Sequence, residues 1–262
     1  MNNPCWQEFE QDLFFRLLAS DSLDYLPPSV SSFDKIKHLR CSLDQMLPPG
    51  VVAFADQITD QEATFEYPEE EEHMVNAVSK RRNEFITGRR CARKALREIG
   101  LAPCALVPGE GRAPLWPAEV IGSISHSGQF CCAAVAHTDA IACLGIDLEK
   151  TSRISSAVMG RVIHPLEKVY VNNDQMRGSL IFSVKEAFFK AQFPIWKTWP
   201  NFDDLAFKES DAMGRLNVLK AADHLPGSLL SALKKMHFRY AFFDDYVLTL
   251  CWLNKLPVDG SN

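Results

Sequence analysis

The stretch 144–150, LGIDLEK, constrains this chain more than any other. Read as a strand, it alternates: Leu144, Ile146 and Leu148 turn to one face, Asp147 and Glu149 to the other. Two carboxylates side by side repel each other and resist removal from water. Either that face meets solvent or a cation stands beside it, and hard oxygen donors suit a divalent ion such as magnesium. Taken alone, the segment leaves both readings open.

A second charged segment sits on an apolar background. FSVKEAFFKA (182–191) has helical periodicity within a longer pattern from Ser179 to Phe193. On a helical wheel Glu186 lies within about 60° of Phe182, Phe189, Lys190 and Phe193. A carboxylate on an aromatic face needs a partner. An ordinary i,i+4 ion pair with Lys190 is the competing explanation.

The third is basic. Between 80 and 97 stand Lys80, Arg81, Arg82, Arg89, Arg90, Arg93, Lys94 and Arg97 against one acid, Glu84. The whole chain carries 28 Lys+Arg and 33 Asp+Glu, a net charge of −5, so the positive charge is concentrated here. Ser79 is the expected cap of this helix and Gly100 its end. Phe85, Ala92, Leu96 and Ile99 form its apolar stripe, and Arg81 and Arg89 flank Phe85 at about −40° and +40°. Arg90, Lys94 and Arg97 fall on the outer face. Arginines beside a buried stripe suit a bound phosphate, which a guanidinium fork holds well.

His126 in SISHSG (123–128) lies between two serines at a strand or turn, as a structural residue or a phosphate contact. No G-x-S-x-G elbow, phosphate-binding P-loop or dinucleotide fingerprint appears. Eight cysteines, including Cys91, Cys131 and Cys132, lack C-x-x-C spacing and read as reduced, small apolar residues of a cytoplasmic protein. The opening MNNPCWQEFE carries Glu8 and Glu10 where a secretory leader wants positive charge, and the longest strongly apolar run, 130–136, is too short to span a bilayer. The acidic balance argues against a general nucleic-acid or membrane surface.

The wider pattern is α+β. An amphipathic helix is expected near 8–18, followed by irregular chain to residue 50. VVAFAD (51–56) reads as a buried strand, and Pro68 followed by 69–72 as a helix start. Strands are expected at 120–136 and 140–148. LAFKES, GRLNVLK, HFRYAFFDD and YVLTLCWL close the chain as further strands, and KLPVDGSN reads as a frayed end.

Taken together these segments resemble the 4′-phosphopantetheinyl transferases, in particular the long, pseudo-dimeric bacterial class of enterobactin- and surfactin-type enzymes. The family pattern of a G-[IV]-D-x-E strand and a later [WF]-[ST]-x-K-E-[AS]-x-x-K helix is met by GIDLE and FSVKEAFFK. SISHS matches its S-x-[ST]-H segment. RRNEFITGRRCARKAL and GEGRAPLWP match its basic helix and its G-[KR]-x-P-like turn. The matches run in order from about 80 to 193, with Phe182 in place of the commoner tryptophan.

The resemblance implies two pseudo-symmetric halves, 1–145 and 146–262, each a small antiparallel sheet with helices. Coenzyme A, a substrate, would lie in the cleft between them. The implied reaction moves the 4′-phosphopantetheine arm from coenzyme A to a serine of an apo acyl or peptidyl carrier protein and releases adenosine 3′,5′-bisphosphate. Mg²⁺, with Mn²⁺ as a substitute, is implied at Asp147, Glu149 and Glu186. Glu186 and Lys190 are the implied catalytic residues. Arg81, Arg89, Arg112, Ser125, His126, Lys185 and Lys190 are the implied coenzyme A contacts. A pseudo-dimeric chain is expected to act as a monomer. Siderophore, polyketide and fatty-acid carriers all remain open. The competing class is a magnesium-dependent nuclease or phosphodiesterase that uses the basic helix on a nucleic-acid backbone, although the E-x-K element of such sites is missing after Asp147.

Overall fold

The computed structural model describes residues 31–59, 61, 63–152, 154–210 and 214–255. The helix expected near 8–18 and the chain end beyond 255 lie outside these.

Two antiparallel sheets form the frame. The first has three strands in the order β1-β3-β2: β1 (Val51–Gln57), β2 (Val120–Ser127) and β3 (Phe130–His137). The second has five in the order β4-β8-β7-β6-β5. Its strands are β4 (Ile141–Lys150), β5 (Leu205–Glu209), β6 (Arg215–Ala221), β7 (His237–Phe243) and β8 (Tyr246–Asn254). The expected strands are all present, and the α+β class holds. Pairing changes sheets at 138–140, between β3 and β4, so we propose the division between halves there rather than at 145/146.

Residues 31–50 correct the sequence reading. They were expected to be irregular, but helix α1 (Ser32–Met46) occupies most of them. The Ser31 hydroxyl accepts from the Asp34 amide at its start, and Ile36, Leu39, Leu43 and Met46 are its buried stripe. Although α1 precedes the first sheet, it grips the second: Lys35 pairs with Asp245, His38 with Asp244, and Arg239 donates to the Met46 carbonyl.

Helix α2 (Pro68–Glu72) carries proline in its first turn, as expected. Its Glu70 is wholly buried and accepts from Arg93 at 2.6 Å and from the Leu106 amide at 2.8 Å, so the acidic run serves as a structural anchor. Helix α3 (Ser79–Glu98) is the basic helix. Ser79 is its first helical residue rather than its cap; Val78 holds the cap position and offers no side-chain acceptor. The outer face behaves as a solvated one, with Arg90 on Glu66 and Lys94 on Asp56.

Helices α4 (Ser156–Val162) and α5 (Lys168–Val171) lead to α6 (Gln175–Trp196), which the Asp174 side chain caps. Helix α7 (Gly227–Leu233) is a short addition before β7. Among the described residues no helix is long and apolar enough to cross a membrane.

Helix α6 lies on β4 at backbone contact. A Cβ on Gly145 would collide with the Ala187 carbonyl and come within 2.7 Å of the Ala191 nitrogen. The glycine and the two alanines let helix and strand touch, and this brings Glu186 and Lys190 beside Asp147 and Glu149.

β2 and β4 are the facing edges of their sheets. No backbone ladder joins them; serine hydroxyls do. Ser123, Ser125 and Ser127 share one face of β2 at the two-residue strand period. They accept from the amides of Ile146, Leu148 and Lys150 at 3.1, 3.1 and 3.2 Å. This comb fixes the register of one half against the other and satisfies amides that an edge strand would leave open.

Candidate active site

A cleft of ≈ 300 Å³ opens along this seam. Helix α3 gives it Arg81, Glu84, Phe85 and Arg89; the turn before β2 gives Arg112 and Pro114. Strand β2 contributes Ile124, Ser125 and His126, β4 contributes Asp147, Leu148 and Glu149, and α6 contributes Phe182, Glu186 and Lys190. Charge is segregated. Arginines and a single acid, Glu84, line the side built by the first half, and three carboxylates with one lysine line the other.

On the acidic side Asp147 and Glu149 are each 5% exposed, which rules out a strand face turned to water. Asp147 Oδ1 accepts from Lys190 Nζ at 2.5 Å and from the Ser125 hydroxyl at 2.9 Å; its Oδ2 accepts from the Ser183 hydroxyl at 2.8 Å. Glu149 Oε1 accepts from the Ser127 hydroxyl at 3.0 Å and from the Lys150 amide at 2.9 Å. Glu186 projects into the cleft from α6. Burial, then the negative charge of Asp147, raises its carboxyl above the usual range; Lys190 opposes this and Glu149 adds to it. Burial alone would lower the Lys190 ammonium, but Asp147, through charge and hydrogen bond, and Glu186 hold it above its ordinary value. It therefore stays charged. Among the described residues no three acidic, histidine or cysteine side chains stand close enough to grip a metal ion as they are.

On the basic side Arg81 Nη1 lies 2.8 Å from His126 Nε2 and 3.3 Å from Glu84 Oε2. Arg89 is 7% exposed, donates to the Leu106 carbonyl at 3.1 Å and stands over the Phe85 ring at 3.7 Å. Burial lowers its guanidinium to about 10, with Glu70 opposing and Arg81 and Arg93 assisting. A cation so penalised gains from an arriving anion. Arg112 sits at the end of a short helical turn (Glu110–Arg112) with φ 64°, which aims it back toward the cleft.

One expected residue stands elsewhere. Lys185 was expected to contact coenzyme A but is turned away from the cleft. Its ammonium is buried and donates to the Val162 carbonyl, Glu167 Oε2 and the Phe202 carbonyl, at 2.8, 2.8 and 2.7 Å. It ties α6 to the loops around α4 and β5. Burial lowers its pKa and Glu167 opposes this. Arg81, Arg89, Arg112, Ser125, His126, Asp147, Glu149, Glu186 and Lys190 all line the cleft.

Sequence reading gave no role to Ser183, Ser127 or Glu84. Ser183, Glu186 and Lys190 stand at i, i+3 and i+7 on one face of α6, a spacing that could have marked Ser183. Glu84 was visible only as the single acid in a basic helix.

Two family models match. The 4′-phosphopantetheinyl transferase N-terminal domain covers residues 69–136, and the 4′-phosphopantetheinyl transferase superfamily covers 143–251. The 4′-phosphopantetheinyl transferase PptT of Mycobacterium tuberculosis is 32% identical over 185 residues, 69% of this chain and 82% of the relative. The 4′-phosphopantetheinyl transferase Svp of Streptomyces mobaraensis is 39% identical over 61% of this chain and 68% of its own length. Enterobactin synthase component D of Escherichia coli K12 is 38% identical over 45% of this chain and 58% of its own.

Proposed function

The chain belongs to the 4′-phosphopantetheinyl transferase superfamily, and from that membership we propose that it moves the phosphopantetheine arm of coenzyme A onto a serine of an apo acyl or peptidyl carrier protein. Adenosine 3′,5′-bisphosphate is the other product. One observation carries this reading: the cleft between the two sheets is basic along one side and carboxylate-lined along the other, with Lys190 between. A pyrophosphate ester broken by a hydroxyl needs both, cations for its phosphates and a proton acceptor for the nucleophile.

Arg81, Arg89 and Arg112 would hold phosphates of coenzyme A, and their place along one side of the cleft, with His126 and Ser125 toward the acidic side, supports this. Lys190, kept charged by Asp147, meets the negative charge that develops as the bond breaks. Glu186, with its raised carboxyl, is suited to take the serine proton, directly or through a water.

The donor set fits a hard divalent cation. Three carboxylates line one wall, and burial together with the charges of Asp147 and Glu149 penalises an ionised Glu186, a penalty that a cation would relieve. Asp147, Glu149 and Glu186 would hold Mg²⁺ or Mn²⁺, which would neutralise charge on the pyrophosphate. Lys190 and the serines now engage the first two, so binding requires these side chains to re-aim.

Both sides of the cleft come from one chain, which supports action as a monomer. The buried thiols of Cys91, Cys131, Cys132, Cys143 and Cys251 are free and suit a reducing cytoplasm.

Intact mass spectrometry tests the reading. An apo carrier protein incubated with this chain, coenzyme A and Mg²⁺ should gain one phosphopantetheine arm, and EDTA should abolish the gain. No gain on siderophore, polyketide and fatty-acid carriers alike, with no binding of coenzyme A, would refute it.

A further inference from the structure

Glu84 has no obvious place in an anion site. It lines the arginine side of the cleft with its side chain 12% exposed, where its charge opposes any phosphate. Its contacts give it a purpose. Oε2 lies 3.3 Å from Arg81 Nη1 and 3.7 Å from His126 Nδ1, so the carboxylate faces both residues of this corner.

The Arg81–His126 contact fixes the protonation of the ring. A guanidinium has donors only. With Arg81 Nη1 2.8 Å from His126 Nε2, Nε2 must offer its lone pair. The imidazole is then neutral, its one proton on Nδ1, the nitrogen facing Glu84. A phosphate oxygen only accepts. It cannot be held by Arg81 and His126 together until Arg81 releases Nε2 and Nε2 gains a hydrogen.

We propose that Glu84 is a positioning residue that holds Arg81 and His126 as one anion-binding unit, in which an arriving phosphate exchanges the Arg81–His126 hydrogen bond for a proton on His126. The proton comes from solvent. Arg81 turns its Nη1 to the anion, and Nε2–H becomes a second donor. Glu84 stays at Nδ1 as the counter-charge of the imidazolium. The surroundings agree. Burial keeps the imidazole below its ordinary pKa; Glu84 opposes this, Arg81 and Lys190 reinforce it, and Asp147 opposes. On β3 the register partner of His126 is Cys131, whose thiol burial pushes well up, so it adds no charge. Farther along the cleft, Arg89 and Glu186 contribute one charge of each sign.

This inference rests on the coenzyme A reading, and calorimetry separates the two. Coenzyme A is titrated into the whole chain at pH 8 with EDTA, in buffers of different ionisation enthalpy. Phosphomonoesters are already dianionic there, so uptake reports on the protein. Wild type should take up about half a proton or more per coenzyme A bound. His126→Asn should take up close to none. Glu84→Gln should take up clearly less, with Glu84→Asp restoring part of it, an effect that a purely structural Glu84 would not show. Coenzyme A that binds without proton uptake, or equal uptake in wild type and His126→Asn, overturns the proposal and leaves the function standing. Uptake unchanged in Glu84→Gln overturns the part given to Glu84. If coenzyme A does not bind, the coenzyme A reading fails. Adenosine monophosphate, a phosphomonoester dianion at pH 8, then tests the unit alone, and binding without uptake, or no binding, overturns it.

Discussion

In both halves a long helix crosses an antiparallel sheet at a glycine, but the contact differs. In the first half the glycine is on the helix: a Cβ on Gly88 would come within 2.8 Å of the Ile124 γ2 methyl, a side-chain atom that can move. In the second half it is on the strand, and Gly145 faces the main chain of Ala187 and Ala191. That side of the cleft is set by backbone against backbone, and it carries Asp147, Glu149, Glu186 and Lys190. The other is set by side chains, and it carries arginines. Long guanidinium arms find a phosphate from a range of starting points. Short carboxylates meeting a lysine or a metal do not, because small displacements are costly where charges are desolvated. The rigid contact stands where the proposed chemistry would tolerate least error.

The largest effect should come from the rigid side. Glu186→Gln should lower turnover by about 10²-fold or more while thermal unfolding stays near wild type; a folded variant with normal turnover would end the distinction between the walls. Gly145→Ala should follow, because the main chain cannot retreat. A loss of about 3 kcal/mol in chemical denaturation is expected. A loss below about 1 kcal/mol would show that strand and helix slide freely. Arg81→Ala should weaken coenzyme A by about tenfold, ~1.4 kcal/mol, read as a raised Michaelis constant. The smallest effect should be that of Gly88→Ala. The Ile124 methyl must give way, but alanine regains about 1 kcal/mol of helix propensity, so the net change should stay within about 1 kcal/mol. A loss as large as that of Gly145→Ala would erase the contrast between the halves.

Much of this was legible in the residues, for reasons that can be named. Alternation in GIDLE placed Asp147 and Glu149 on one face, and the wheel set Arg81 and Arg89 apart from Arg90 and Lys94. Local periodicity encodes both facts. α1 was missed although Ile36, Leu39, Leu43 and Met46 carry a helical stripe. The polar residues between them and the prolines at 27–28 and 48–49 masked it, and its partners on β7 and β8 lie two hundred residues away. Lys185 illustrates the opposite failure. The motif puts it one residue from Glu186, and on a helix that step is about 100°, enough to turn it out of the cleft toward Glu167. The serine comb from β2 to β4 shows locally only as the alternate serines of SISHS; its partners could not be read, because they lie on the edge of the other sheet.

The division of labour between the two walls is tested most directly by steady-state kinetics on one carrier protein, with coenzyme A varied, for wild type, Arg81→Ala and Asp147→Asn. Arg81→Ala should raise the Michaelis constant for coenzyme A and leave kcat within a few-fold. Asp147→Asn, which weakens the hold on Lys190, should depress kcat by about 10²-fold and change coenzyme A binding far less. The opposite pattern, with Asp147→Asn acting on coenzyme A affinity and Arg81→Ala on kcat, would contradict the account.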